Sequence, residues 1–122
     1  MLRYPCPCCG RLVHTSAPGS YSICPVCGWE DDVVQLRWPQ LTGANRTSLI
    51  DAQRLYAEHG YSKEPFSSRA RTANDEEPLD EGFRPLDLQT DNFETPDETT
   101  TDWPGDRTQL YWWRPSYWRA DD

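Results

Sequence analysis

Apolar positions along this chain are sparse, and their spacing changes from segment to segment. Between Ser48 and His59, the residues Leu49, Ala52, Leu55/Tyr56 and His59 recur at helical spacing and share one face. Ser48 suits an N-cap, Asp51 complements the helix dipole in a capping-box-like start, and Gly60 supplies a stop, so the spacing predicts a helix over residues 48–59. His59 lies on the apolar stripe and reads as a packed helix-end residue rather than a ligand. Toward the N-terminus, Leu12–Val13 and Tyr21–Ile23 read as short strands separated by the Pro-Gly turn signal "SAPGS". Short apolar pieces follow in residues 33–45, and "WPQLTGAN" reads as a loop. Residues 61–102 are polar, and "ANDEEPLDEG" and "TPDETTTD" read as an acidic extended linker. Phe66, Leu79, Phe83, Leu86, Leu88 and Phe93 interrupt it and are expected to pin it down at a few points. In residues 103–122 the pattern reverses. "TQLYWWR" alternates like a strand, with Leu110 and Trp112 on one face and Tyr111 and Trp113 on the other.

Composition changes this picture in one respect. A chain of 122 residues is one domain in size, but 36% hydrophobic content gives one apolar core too little to work with. Mean hydropathy is −0.87. Six Trp and six Tyr offset this, since each buries a large area. Four of the six Trp fall between 103 and 118, and the aromatic segment is expected to pack back on the cysteine-rich part, residues 1–60. No apolar run is long enough for a transmembrane helix, and no apolar signal core precedes Cys6. A reducing cytoplasm is the expected setting, where clustered cysteines bind metal more often than they form disulfides.

The net charge of −8 is unevenly spread. Residues 1–73 carry eight Lys/Arg against six Asp/Glu, a balance of +2, whereas residues 74–122 carry four against fourteen, a balance of −10. Such an acidic portion repels a phosphate backbone and suits a protein partner with a basic surface.

The chemistry lies in five cysteines. "CPCCG" and "CPVCG" both read as C-x-x-C-G, giving Cys6–Cys9–Gly10 and Cys24–Cys27–Gly28. Two intervening residues let one tight turn aim both sulfurs at a single ion, and the following Gly allows a positive φ. Fourteen residues separate the pairs, one short of the usual window of about 15–20. Cys6, Cys9, Cys24 and Cys27 therefore read as ligands of one structural Zn²⁺, with iron in a rubredoxin-like site as the alternative metal. Cys8 is left over. It reads as a small side chain inside the turn, with a reactive or alternative-ligand thiol as the competing view. The carboxylates of "WEDD", Glu30 to Asp32, read as a solvated acidic turn or a protein-contact patch rather than a general base.

Taken in order, "YPCPCCG", "PGSYSICPVCGWEDD" and "GANRTSLIDAQRLYAEHG" resemble the bacterial cysteine-rich CPCC family over about residues 4–60. The resemblance implies a small zinc-ribbon-like domain with Cys6, Cys9, Cys24 and Cys27 as ligands, and it brings no activity with it. The expected architecture is small α+β: zinc-ribbon-like hairpins, one packed helix, and an extended acidic and aromatic C-terminal extension. The expected function is a non-catalytic metal-binding interaction module, of which an immunity-type protein that neutralises a basic toxin is one example. A second class is a nucleic-acid-binding ribbon regulated by its acidic segment, using Arg3, Arg11 and Arg37 with Trp29 and Trp38. A third is thiol redox or iron electron transfer.

Overall fold

The computed structural model describes residues 3–95 and 102–120. Strand β1 (Tyr4–Pro5) pairs antiparallel with β2 (Leu12–His14), with Tyr4 opposite His14 and Pro5 opposite Leu12. The first cysteine turn connects them. A third segment extends this ribbon without becoming a full strand: Arg11 bridges Leu79, Leu12 N–H donates to the Pro78 carbonyl at 2.9 Å, and Asp80 N–H donates to the Gly10 carbonyl at 2.8 Å.

The second cysteine turn is flanked by a single bridge, Ile23 opposite Glu30, in place of the strand predicted at Tyr21–Ile23. Tyr21 takes a left-handed backbone (φ 60°), which breaks extended geometry. Asp31 then accepts from both the N–H and the hydroxyl of Ser20 and holds the bend.

Helix α1 (Val33–Arg37) was not foreseen among the short apolar pieces. Asp32 caps it by accepting from Val34 N–H at 2.9 Å. Helix α2 spans Leu49–His59, with the Ser48 hydroxyl accepting from Asp51 N–H at 3.1 Å and Gly60 closing it in the left-handed conformation. Leu49, Ala52 and Gln53 form its buried face. His59 is not on that face: it is exposed and stacks on Tyr61 at 5.5 Å.

The polar stretch after α2 contains a short 3-10 helix at Glu64–Phe66 and otherwise runs as turns and coil. Phe66 is buried, and Phe83, Leu86 and Phe93 pack against the core, while Leu79 and Leu88 are exposed. Residues 96–101, most of "TPDETTTD", lie outside the described residues.

"TQLYWWR" is not a strand. Arg107–Leu110 forms a 3-10 helix capped by Asp106, and turns follow. Leu110, Tyr111, Trp112 and Trp113 are all buried in one cluster with the cysteines. Four consecutive buried side chains leave no solvent face for alternation, so packing from all sides overrides strand propensity.

A buried ion pair ties α1 to the polar segment that follows α2. Arg37 Nε donates to Glu94 Oε1 at 2.8 Å, both side chains being 1% exposed. The Trp38 indole N–H donates to the same oxygen at 3.1 Å. The Arg37 guanidinium carbon lies 4.6–4.8 Å from the ring centres of Trp38, Trp103 and Trp118. Three aromatic faces and a carboxylate thus compensate a cation taken out of water.

Candidate metal centre

Two turns of the same construction build the site. In the first, Gly10 N–H donates to the Cys6 carbonyl at 2.7 Å and Cys6 N–H donates to the Arg11 carbonyl at 2.9 Å. In the second, Gly28 N–H donates to the Cys24 carbonyl and Cys24 N–H to the Trp29 carbonyl, both at 2.9 Å. Proline in the second position of each turn presets φ, and the glycines reach φ values of 80° and 89° that a side chain would oppose.

Each glycine is also roofed by a phenylalanine from the polar segment. A methyl group on Gly10 would run into the Phe83 ring, and one on Gly28 into the Phe66 ring. Gly28→Ala should therefore combine backbone strain with overpacking and cost roughly 2–4 kcal/mol. Gly105→Ala, with nothing within 4 Å of the added methyl, is the control, expected to stay within about 0.5 kcal/mol of the parent. Urea denaturation of the two variants reads the difference.

The turns bring Cys6, Cys9, Cys24 and Cys27 together, with all four Sγ atoms within 4.8 Å of one another and all four residues buried. Cys6 and Cys27 sulfurs are 3.7 Å apart, as are those of Cys9 and Cys24. These are not disulfide distances, and all five cysteines are free. A metal bound tetrahedrally by sulfur at about 2.3 Å needs sulfur–sulfur edges of about 3.8 Å. The donor set thus fits a tetrahedral thiophilic ion.

Electrostatics point the same way. Burial pushes the Cys6 and Cys27 thiols well above their usual range. Cys24 moves the other way, because Cys27, Cys6 and Cys9 all donate toward it. Four thiolates need a cation among them.

Cys8 stands outside the four-sulfur set and is itself buried, where burial pushes its thiol up. A buried, protonated thiol matches the packed side chain of a tight turn and not a reactive one.

Polar side chains from distant segments hold the turns in place. Gln53 of α2 donates to the Pro7 carbonyl at 2.9 Å and accepts from Leu86 N–H at 3.0 Å. Ser62 sends both its N–H and its hydroxyl to the Cys27 carbonyl, each at 2.8 Å. Asp31 and Asp32 are buried, which corrects the reading of "WEDD" as a solvated turn or contact patch. Asp32 also accepts from Ala44 N–H at 3.0 Å, and Asn45 exchanges hydrogen bonds with both the N–H and the carbonyl of Glu30. "WEDD" and "GAN" are thus two halves of one hydrogen-bonded latch. Their joint appearance in the sequence was the available signal for it.

Two of the five residues suggested for a basic-aromatic patch, Trp29 and Arg37, are buried. Trp29 is fully buried, Arg37 is consumed by Glu94, and Arg11 reaches the Glu77 carbonyl.

A two-stranded antiparallel sheet, one main helix and a cluster of four cysteines able to hold a metal ion define a small cysteine-rich protein of the metal-binding class. The model of the cysteine-rich CPCC family matches residues 4–77, and the chain belongs to that family. A search of curated proteins finds no match. Among the described residues, no helix is long and apolar enough to cross a membrane.

Proposed function

We propose that this protein is a non-catalytic, zinc-ribbon-like interaction module in which Cys6, Cys9, Cys24 and Cys27 hold one structural Zn²⁺. The four buried sulfurs with their 3.7 Å edges carry this reading. When bound, the ion would supply the cross-link that a poor apolar core lacks. Iron suits the same four thiolates and is the competing metal. Five free thiols with no disulfide among the described residues support a reducing, cytoplasmic setting. The balance of −10 over residues 74–122 supports a protein partner with a basic surface, as an immunity-type protein facing a basic toxin would have.

Elemental analysis of protein purified without added zinc tests the metal. One zinc per chain and a colourless sample are expected. Iron with visible absorption would replace zinc by its competitor, and a folded protein without metal would remove the reading. For the partner, native pull-down should recover a basic protein whose binding weakens as salt rises, and a salt-insensitive or empty result counts against it.

A further inference from the structure

The third segment of the ribbon has a bare outer edge. Arg11 is bridged to Leu79 by bonds that their neighbours make, from Leu12 N–H to the Pro78 carbonyl and from Asp80 N–H to the Gly10 carbonyl. In an antiparallel pair of this kind, the bridged residues' own N–H and carbonyl groups point away from each other. On the inner side that orientation is used, because the Arg11 carbonyl accepts from Cys6 N–H of the first cysteine turn. On the outer side, neither backbone group of Leu79 has a partner among the described residues.

The edge is accessible. Pro78, Leu79 and Glu81 are all exposed, and the Leu79 side chain keeps 47% of its surface in water in a chain poor in apolar residues. Exposed edges are commonly blunted by lysine, proline or a covering loop. Pro78 brings no N–H, which makes Leu79 the point of attachment for an added strand.

Charge selects the occupant. Residues 75–81, "DEEPLDE", hold five carboxylates. Glu77 is paired with Arg71 and Asp80 with Arg114. Asp75, Glu76 and Glu81 are exposed and have no cationic partner among the described residues. With Arg11 across the bridge also counted, five carboxylates against three guanidinium groups leave a net charge of −2. Cations on an incoming strand complement this edge, whereas a second copy of the chain, with its net charge of −8, is opposed.

We propose that a partner protein adds an extended basic segment to this edge, exchanging backbone hydrogen bonds with Leu79 and setting Lys or Arg side chains beside Glu76 and Glu81. The inference names the surface that the basic partner uses and rests on that reading.

The probe is the capped peptide acetyl-Lys-Val-Lys-Val-Lys-amide, titrated at low, constant ionic strength into the full chain as purified and followed by ¹H–¹⁵N NMR. Saturable shifts centred on the amides of Leu79, Asp80 and Glu81 are expected, with the Leu79 N–H moving downfield and exchanging more slowly. The same peptide N-methylated at its three central residues keeps its charge but loses those donors, and should bind roughly tenfold more weakly. Glu76→Gln combined with Glu81→Gln, both at exposed positions, should weaken the parent peptide roughly three- to tenfold and leave the melting temperature unchanged. Shifts centred elsewhere, or parent and N-methylated peptides binding alike, would overturn the edge while leaving a basic partner in place. So would no saturable shift up to about 5 mM alongside a pull-down that still recovers a basic protein. Failure of peptide and pull-down together would overturn both the edge and the reading beneath it. A Leu79 shift that follows protein concentration alone would put a second copy on the edge and overturn the basic occupant.

Discussion

Treated with a strong chelator at neutral pH, the protein should lose its cooperative melting transition, and added Zn²⁺ should restore it. The magnitude follows from two scales. Structural zinc in small domains contributes on the order of 10–16 kcal/mol of apparent binding free energy. A domain of this size has a total stability of about 5–15 kcal/mol. Removing the ion therefore removes as much as the fold has to give. Near-ultraviolet circular dichroism reports the loss directly, because Trp29, Tyr111, Trp112 and Trp113 belong to the same buried cluster as the four sulfurs.

Ligand substitutions separate the roles of the cysteines. Cys24→Ser should lower the affinity for cobalt, read from its sulfur charge-transfer band, by more than the roughly 10–100-fold typical of an outer partner. Cys8→Ser should keep that band. The pH dependence has a defined sign. In the metal-free cluster the raised Cys6 and Cys27 thiols favour the folded state below the unfolded thiol pKa of about 8.5, a contribution lost as pH rises, while the lowered Cys24 works in the opposite sense. Metal binding must expel those protons. Retention of the ion is thus full at neutral to alkaline pH and lost as pH falls. Identical melting curves with and without the ion, once elemental analysis shows it gone, would refute the structural role.

What the sequence disclosed and what it concealed divide along a physical line. The cysteine turns are local: spacing, proline and glycine within five residues dictate their geometry, so Cys6, Cys9, Cys24 and Cys27 could be singled out without coordinates. The same holds for α2, whose cap at Ser48 and stop at Gly60 are written beside the helix. The latch between Asp32, Asn45 and Glu30 was hidden because exposed and buried carboxylates look identical in a sequence. Nothing near Arg37 announces that Glu94, 57 residues away, will bury it. Phe66 and Phe83 could be named as anchors in the polar segment, but not as the roofs of the two turns, because that depends on where a chain without regular structure returns. "TQLYWWR" misled because its alternation presumes one wet face, and the cluster it enters has none.

The second large effect concerns that aromatic stretch. A chain ending at residue 102 should fail to fold cooperatively even with zinc supplied. The deletion takes Leu110, Tyr111, Trp112, Trp113 and Tyr117 out of the core. Cutting one large aromatic back to Ala already costs about 3–5 kcal/mol, so losing several exceeds the stability available. The damage also travels along a definable route. Trp113 stands edge-on to Phe83 at 4.8 Å, and Phe83 roofs Gly10 in the first cysteine turn. The indole N–H of Trp113 and Nε of Arg114 both donate to Asp80, whose own N–H holds the Gly10 carbonyl. Trp103 and Trp118 leave the faces of Arg37, exposing its ion pair with Glu94 to water. The four sulfurs, Asp80 and Phe83 remain in the shortened chain, but the Trp113 and Arg114 contacts that fix Asp80 and Phe83 against the first cysteine turn do not. Trp113→Ala keeps the rest of the segment and grades the effect. It should lower stability by roughly 3–5 kcal/mol in urea and loosen the metal, whereas Trp103→Ala, at the exposed edge, should cost less. A shortened chain that melts at the same temperature as the full one would mean that the aromatic segment is a surface rather than part of the core.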